Sequence, residues 1–234
     1  MASSAQLARL GAAPRDPAFP NRSASTTLRA GVPTPLKLCI FVTHPVQYHV
    51  PLWRALAAHP ALDLKVFYFS DHSVRGGLDP GFGVPVSWDI DLLSGYEHVF
   101  LSRSADLSAP RSVRIPDART LLAQERPDWV LCCGYMHGFE RQLALSSRGA
   151  GARLLLRAEF SDSSYVRRSP WKARARDLVL RAFYARVNRF CYPGRAAFAH
   201  LLRLGVPESR CFFSPYSVDD SLIARARSET SRAA

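Results

Sequence analysis

From residue 37 onward, short apolar runs alternate with segments of helical period. Residues 38–42 (Leu-Cys-Ile-Phe-Val) form an unbroken apolar run, the pattern of a parallel strand buried on both faces. Residues 64–69 are rich in β-branched and aromatic side chains, which favour strands. The same reasoning predicts strands at 96–101, 129–133, 153–157, 190–192 and 211–213. Apolar spacing predicts helices over 51–58, 116–125, 139–147, 171–187 and 195–204. The last of these is stopped by Gly205 and Pro207. Residues 71–95 are crowded with Gly, Pro and Asp and read as one long loop. Strands alternating with helices predict a single doubly wound, Rossmann-like α/β domain with a parallel sheet.

The ends of the chain differ from this middle. Residues 1–36 hold Ala, Ser, Arg and Pro with one acid, Asp16, and no lasting period. They read as a disordered leader, with an organellar transit peptide as the runner-up. The folded domain is expected over 37–222, with 223–234 a flexible tail.

Composition narrows the function classes. With 47% hydrophobic and 21% charged residues the chain has a globular make-up, and no apolar run nears the ~20 residues of a membrane span. The formal net charge of +12 suits nucleic acid, an anionic membrane surface or phosphorylated substrates. Nucleic acid is set aside, because no recognition module is visible. The basic stretch 167–189 contains Trp171, Leu178 and Phe183. It reads equally as a solvated helix face or as one that touches anionic lipid head groups. Five cysteines make an odd number, and none has metal-ligand spacing. Adjacent Cys132 and Cys133 would point to opposite faces of a strand. A reducing, cytoplasmic compartment follows, extending to the inner face of a membrane. Walker, nucleophile-elbow, zincin and zinc-cysteine patterns are absent, and neither a metal nor a cofactor is expected.

In a doubly wound sheet, ligands bind beyond the C-terminal strand ends. That rule selects the segment His44-Pro-Val-Gln47-Tyr48, whose polar groups can bond hydroxyls or phosphate. It also selects Gly134-Tyr135-Met-His137-Gly138, where glycines allow close backbone approach and Tyr135 offers a sugar-stacking face. A third candidate is Arg157-Ala-Glu159, with Arg157 as a two-pronged anion donor. A structural ion pair from Arg157 to Glu159 or Asp162 is equally compatible. The fourth is the long loop with Asp79-Pro-Gly-Phe82-Gly83. His44 is the candidate general base toward an acceptor hydroxyl, or alternatively only a cap or backbone partner of the first helix.

The segment Phe41-Val-Thr-His-Pro-Val-Gln-Tyr-His-Val-Pro-Leu-Trp-Arg-Ala-Leu56 resembles a bacterial branch of family-4 glycosyltransferases. So do, in the same order, Asp79–Gly83, Trp88–Tyr96, Asp128–Tyr135 and Leu204–Asp219. The resemblance spans roughly residues 37–222. It implies one half of a GT-B fold, the N-terminal half that holds the acceptor, here a sugar or lipid-linked acceptor. From the four segments above, Gln47, Tyr48, Phe82, Gly134, Tyr135, His137, Arg157 and Glu159 are then the candidate acceptor-binding residues, with His44 the catalytic candidate. A complete relative is expected to transfer a sugar from a nucleotide-sugar with retention of configuration, without a metal. The family's donor motif, two glutamates separated by seven residues, is not found in this chain. A donor-domain chain is therefore an expected partner, and the alternatives are a non-catalytic binding subunit or a degenerate fragment. Arg157-Ala158-Glu159-Phe160 stands where the branch has Arg-Gly-Glu-Ser.

Overall fold

The structure is a computed structural model that describes residues 34–79, 84–86, 90–157, 162 and 169–216. All of these belong to one compact unit, Thr34–Ala234. Its centre is a seven-stranded sheet in the order β5-β2-β1-β6-β7-β8-β9. The strands are β1 (Leu36–Val42), β2 (Leu62–Tyr68), β5 (Glu97–Phe100), β6 (Trp129–Cys132), β7 (Arg153–Arg157), β8 (Arg189–Tyr192) and β9 (Cys211–Phe213). Every pairing is parallel. The expected fold class, a single Rossmann-like α/β domain, is the one observed.

Helices α1 (Val50–Ala57), α3 (Ala118–Glu125), α4 (Gly138–Ser146), α5 (Pro170–Tyr184) and α6 (Arg195–Arg203) connect the strands. Alternation along β1 divides the core in two. Leu38, Ile40 and Val42 join Val50 and Trp53 of α1 on one face. Cys39 and Phe41 join Leu122 of α3, Phe139 and Leu143 of α4, Leu180 and Tyr184 of α5 and Leu201 of α6 on the other. At the N-terminal end of the sheet, Lys37 and Lys65 both pair with Glu125 at 2.9 and 2.8 Å. Two of the three lysines are thereby tied to the end opposite the strand mouths.

Two expectations are corrected. Residues 71–95 do not form one loop. They contain the helical turn α2 (His72–Arg75) and an antiparallel pair, β3 (Gly77–Asp79) with β4 (Val84–Val86). Three-residue strands are too short to leave an alternating signal, and Pro85 reads as a breaker although a two-stranded ribbon tolerates it at an edge. Helix α5 stops at Tyr184 rather than Val187. There the N–H groups of Arg186 and Val187 donate to Phe183 and Tyr184 carbonyls, a tighter turn that still buries Val187. After α6, Gly205 adopts φ 86°, the left-handed stop its position predicts.

The five cysteines are free thiols. Burial pushes the Cys39 thiol up to about 12 and raises that of Cys132, so both pack as small inert hydrophobes. Among the described residues no helix is long and apolar enough to cross a membrane.

Candidate functional site

The strand order reverses between β1 and β6, the junction where a doubly wound sheet opens a crevice beyond its strand ends. A cleft of about 200 Å³ lies there, lined by His44, Tyr48, His49, Cys133, His137, Glu140, Arg157 and Tyr216 among others.

The segment leaving β1 is pinned from below. Thr43 O accepts from the N–H groups of Phe69 and Ser70, at 3.0 and 2.9 Å. Ser73 Oγ donates to Pro45 O at 2.7 Å. His44 Nδ1 is bonded to Thr43 Oγ1 at 2.9 Å, and its ring lies 4.4 Å from that of His72. His49 directly precedes α1 and is buried, and its Nδ1 has no hydrogen-bond partner among the described residues. Burial first, and then the charge of Arg157, lowers its pKa to about 3, so its ring stays neutral.

From the other wall, His137 and Glu140 clasp each other at the start of α4. The His137 N–H donates to Glu140 Oε2 at 2.7 Å, and its Nδ1 lies 3.3 Å from Oε1. A Cβ on Gly134 would sit 2.5 Å from Glu140 Oε1, so glycine there admits the buried carboxylate. Gly138 is constrained differently: a Cβ would meet the Arg111 carbonyl oxygen at 2.6 Å. Its N–H and that of Phe139 donate to Pro110 and Val113 carbonyls at 2.9 and 2.8 Å, which uses up helix-terminal donors.

Arg157, at the end of β7, is 5% exposed. Its Nη2 donates to Pro215 O at 3.2 Å, and its guanidinium covers the Tyr216 ring at 4.8 Å. Nε and Nη1 are buried with no partner among the described residues. An unpaired buried cation is costly, and each of these open N–H donors can take an oxygen of a carboxylate or phosphate.

The structure therefore brings His44, Tyr48, His137 and Arg157 to one cleft, with Gly134 beneath it. Gln47 is exposed and does not line it. Tyr135 faces away, toward Phe183 and Arg176. Phe82 and Glu159 lie outside the described residues. The alternative pairing of Arg157 with Asp162 is absent, because Asp162 instead binds His200 and Arg203. His49, Cys133, Glu140 and Tyr216 were not anticipated. Glu140 could have been found from its spacing to His137, and Tyr216 from its position just past β9; nothing local marks His49 beyond its neighbour Tyr48. Among the described residues no group of three or more His, Cys, Asp or Glu side chains could hold a metal ion.

No family model matches the chain, and no curated protein matches it in sequence. A solved structure does match: HepE (Alr3699) of Anabaena in complex with UDP and glucose. The TM-score is 0.50 at 11% identity, over 83% of this chain and 50% of that one. The likeness is one of fold, a Rossmann-like domain matching half of a GT-B-like structure. The chain spans about half the length of this neighbour and forms a Rossmann-like half of such a structure.

Proposed function

We propose that the chain is the N-terminal, acceptor-side half of a retaining glycosyltransferase of the family-4 type. In this proposal a nucleotide-sugar held by a donor domain supplies the sugar. Arg157 carries the reading: it lines the cleft at the strand-order reversal, and two of its buried guanidinium nitrogens have no partner among the described residues. The neighbour's bound UDP and glucose support sugar chemistry for this fold. The acceptor is a sugar or lipid-linked sugar carrying a phosphate or carboxylate. Arg157 grips that anion, Tyr48 and Tyr216 supply ring faces, and His44 accepts a bond from the attacking hydroxyl. His49, kept neutral, leaves Arg157 as the cation the anion meets. A cytoplasmic setting, where thiols stay reduced, is part of the proposal.

The cleft is smaller than the roughly 300–1,000 Å³ of drug-sized ligand sites, which suits one sugar ring or one phosphate rather than a whole nucleotide-sugar. Titrating the 234-residue chain with glucose 1-phosphate, glucuronate, glucose and UDP-glucose, followed by NMR of the histidine rings, tests this. Binding of the two anionic sugars that shifts His44, His49 and His137 is the expected result. A micromolar constant for UDP-glucose, or anionic sugars that leave the three rings unmoved, would overturn the proposal.

A further inference from the structure

On the far side of the segment between β6 and α4 lies a second and larger cavity, about 660 Å³, which the cleft chemistry does not use. Cys133 and His137 of that segment face the cleft, whereas Tyr135 and Met136 line this cavity. Its other walls are Ala109, Pro110, Ser112 and three arginines: Arg111, Arg141 and Arg176. Among the described residues no carboxylate lines it.

Two of the arginines are held in place from behind. Arg141 Nη2 donates to Met136 O at 2.8 Å. Arg176 reaches Tyr135 Oη and Asp177 Oδ1, each at 3.5 Å. Arg111 stands exposed at the rim. Three guanidinium groups around a floor of Pro110, Met136 and the Tyr135 ring describe a receptor for an anion that carries apolar matter with it.

Helix α5 says where such an anion comes from. Lys172 and Val179 flank Arg176 at i−4 and i+3, so they stand on the cavity's edge of the helix. Trp171, Ala175 and Leu178 continue from them around the same exposed side. Trp171, Leu178 and Val179 are 66%, 70% and 68% exposed, beside Lys172, Arg174 and Arg181. Three large apolar side chains left in water along one helix, interleaved with cations, are what an interfacial helix presents to an anionic leaflet.

We propose that α5 lies on an anionic bilayer and that the Arg111–Arg141–Arg176 cavity receives the phosphate of a lipid drawn from it. The inference does not depend on sugar transfer. Flotation of the full chain with phosphatidylcholine vesicles, with and without phosphatidic acid, tests it. Binding should require phosphatidic acid and weaken with added salt. Arg111→Gln and Arg141→Gln should each weaken it about fivefold, the scale of one basic residue at an anionic surface, and Leu178→Gln should weaken it comparably. All three sites are exposed, and unchanged melting temperatures would show the variants folded. Arg119→Gln, on α3, is the control for diffuse charge. An equal loss with Arg119→Gln, or equal binding to pure phosphatidylcholine, overturns the site. Full competition by glycerol 3-phosphate together with an inert Leu178→Gln would make the ligand a free phosphate and overturn the bilayer.

Discussion

Two clusters in this molecule are built from the same residue types, and they differ in their hydrogen-bond accounts. The first joins Asp162, Asp177, Tyr184, His200 and Arg203. His200 donates from Nδ1 to Asp162 at 2.8 Å, and its Nε2 lies 3.2 Å from Tyr184 Oη. Arg203 donates to Asp162 at 2.7 and 2.9 Å and to both oxygens of Asp177. Each charge meets its opposite there. The second cluster is the cleft, where Arg157 keeps two donors unpaired and His49 one ring nitrogen. A buried polar group left unpaired costs stability. The first cluster therefore reads as a clasp between α5 and α6, and the second as a site waiting for an anion.

The largest expected effect separates two imidazoles. His44→Ala, assayed with a donor domain supplied, should lower transfer by about a hundredfold while leaving the melting temperature within a degree or so. His200→Ala should leave binding intact but remove the bonds His200 makes to Tyr184 and Asp162. That costs about 2–3 kcal/mol, a drop of about 4–12 °C by calorimetry. A His44 variant that melts as early as the His200 variant would make His44 structural.

Two arginines give the next contrast. Arg157→Met should weaken anionic-sugar binding by about ten- to a hundredfold and leave the fold as stable or slightly more so, because an uncompensated charge is removed. Arg203→Met should destabilise by about 1–2 kcal/mol, allowing for its partial exposure. Equal destabilisation by the two would break the comparison.

Acid should unfasten the clusters in separate windows. His49 has its pKa lowered to about 3, so the unfolded chain takes up its proton first. Its contribution is complete above the ordinary value of about 6.5 and falls toward pH 3, at no more than about 1.4 kcal/mol per pH unit. Asp162 is held at about 2, chiefly by Arg203. Its contribution is complete above about 4 and is lost as pH falls toward 2. Denaturant melts across pH 2–8 should show His49→Phe flattening the upper window and Asp162→Asn the lower. A bound anionic sugar should add stability throughout the window in which it stays charged.

The smallest effect concerns Tyr216. Replacing it with leucine removes the ring beneath Arg157 and should weaken sugar binding about threefold, as a partly exposed cation–ring contact allows. No change at all would mean that Pro215 O alone orients the guanidinium.

The sequence by itself determined the fold class and the mouth of the sheet. Short apolar runs such as Leu38 to Val42 and Leu154 to Leu156, each followed by a segment of helical period, have the pattern of buried parallel strands, which puts the segments that follow them at strand ends. His44, His137 and Arg157 were legible for that reason. Only the tertiary structure decided which of these meet. A strand end fixes position along the sheet but not the direction of the next side chains, so Gln47 and Tyr135 turn away from the cleft. Arg157 and Tyr216 stand 59 positions apart in the chain and touch because β7, β8 and β9 are laid side by side. Whether Arg157 finds a carboxylate or keeps its donors open depends on where Asp162 goes. Arg203 and His200, on a different helix, take that carboxylate. Competition for partners is a three-dimensional matter, and it separates the clasp from the cleft.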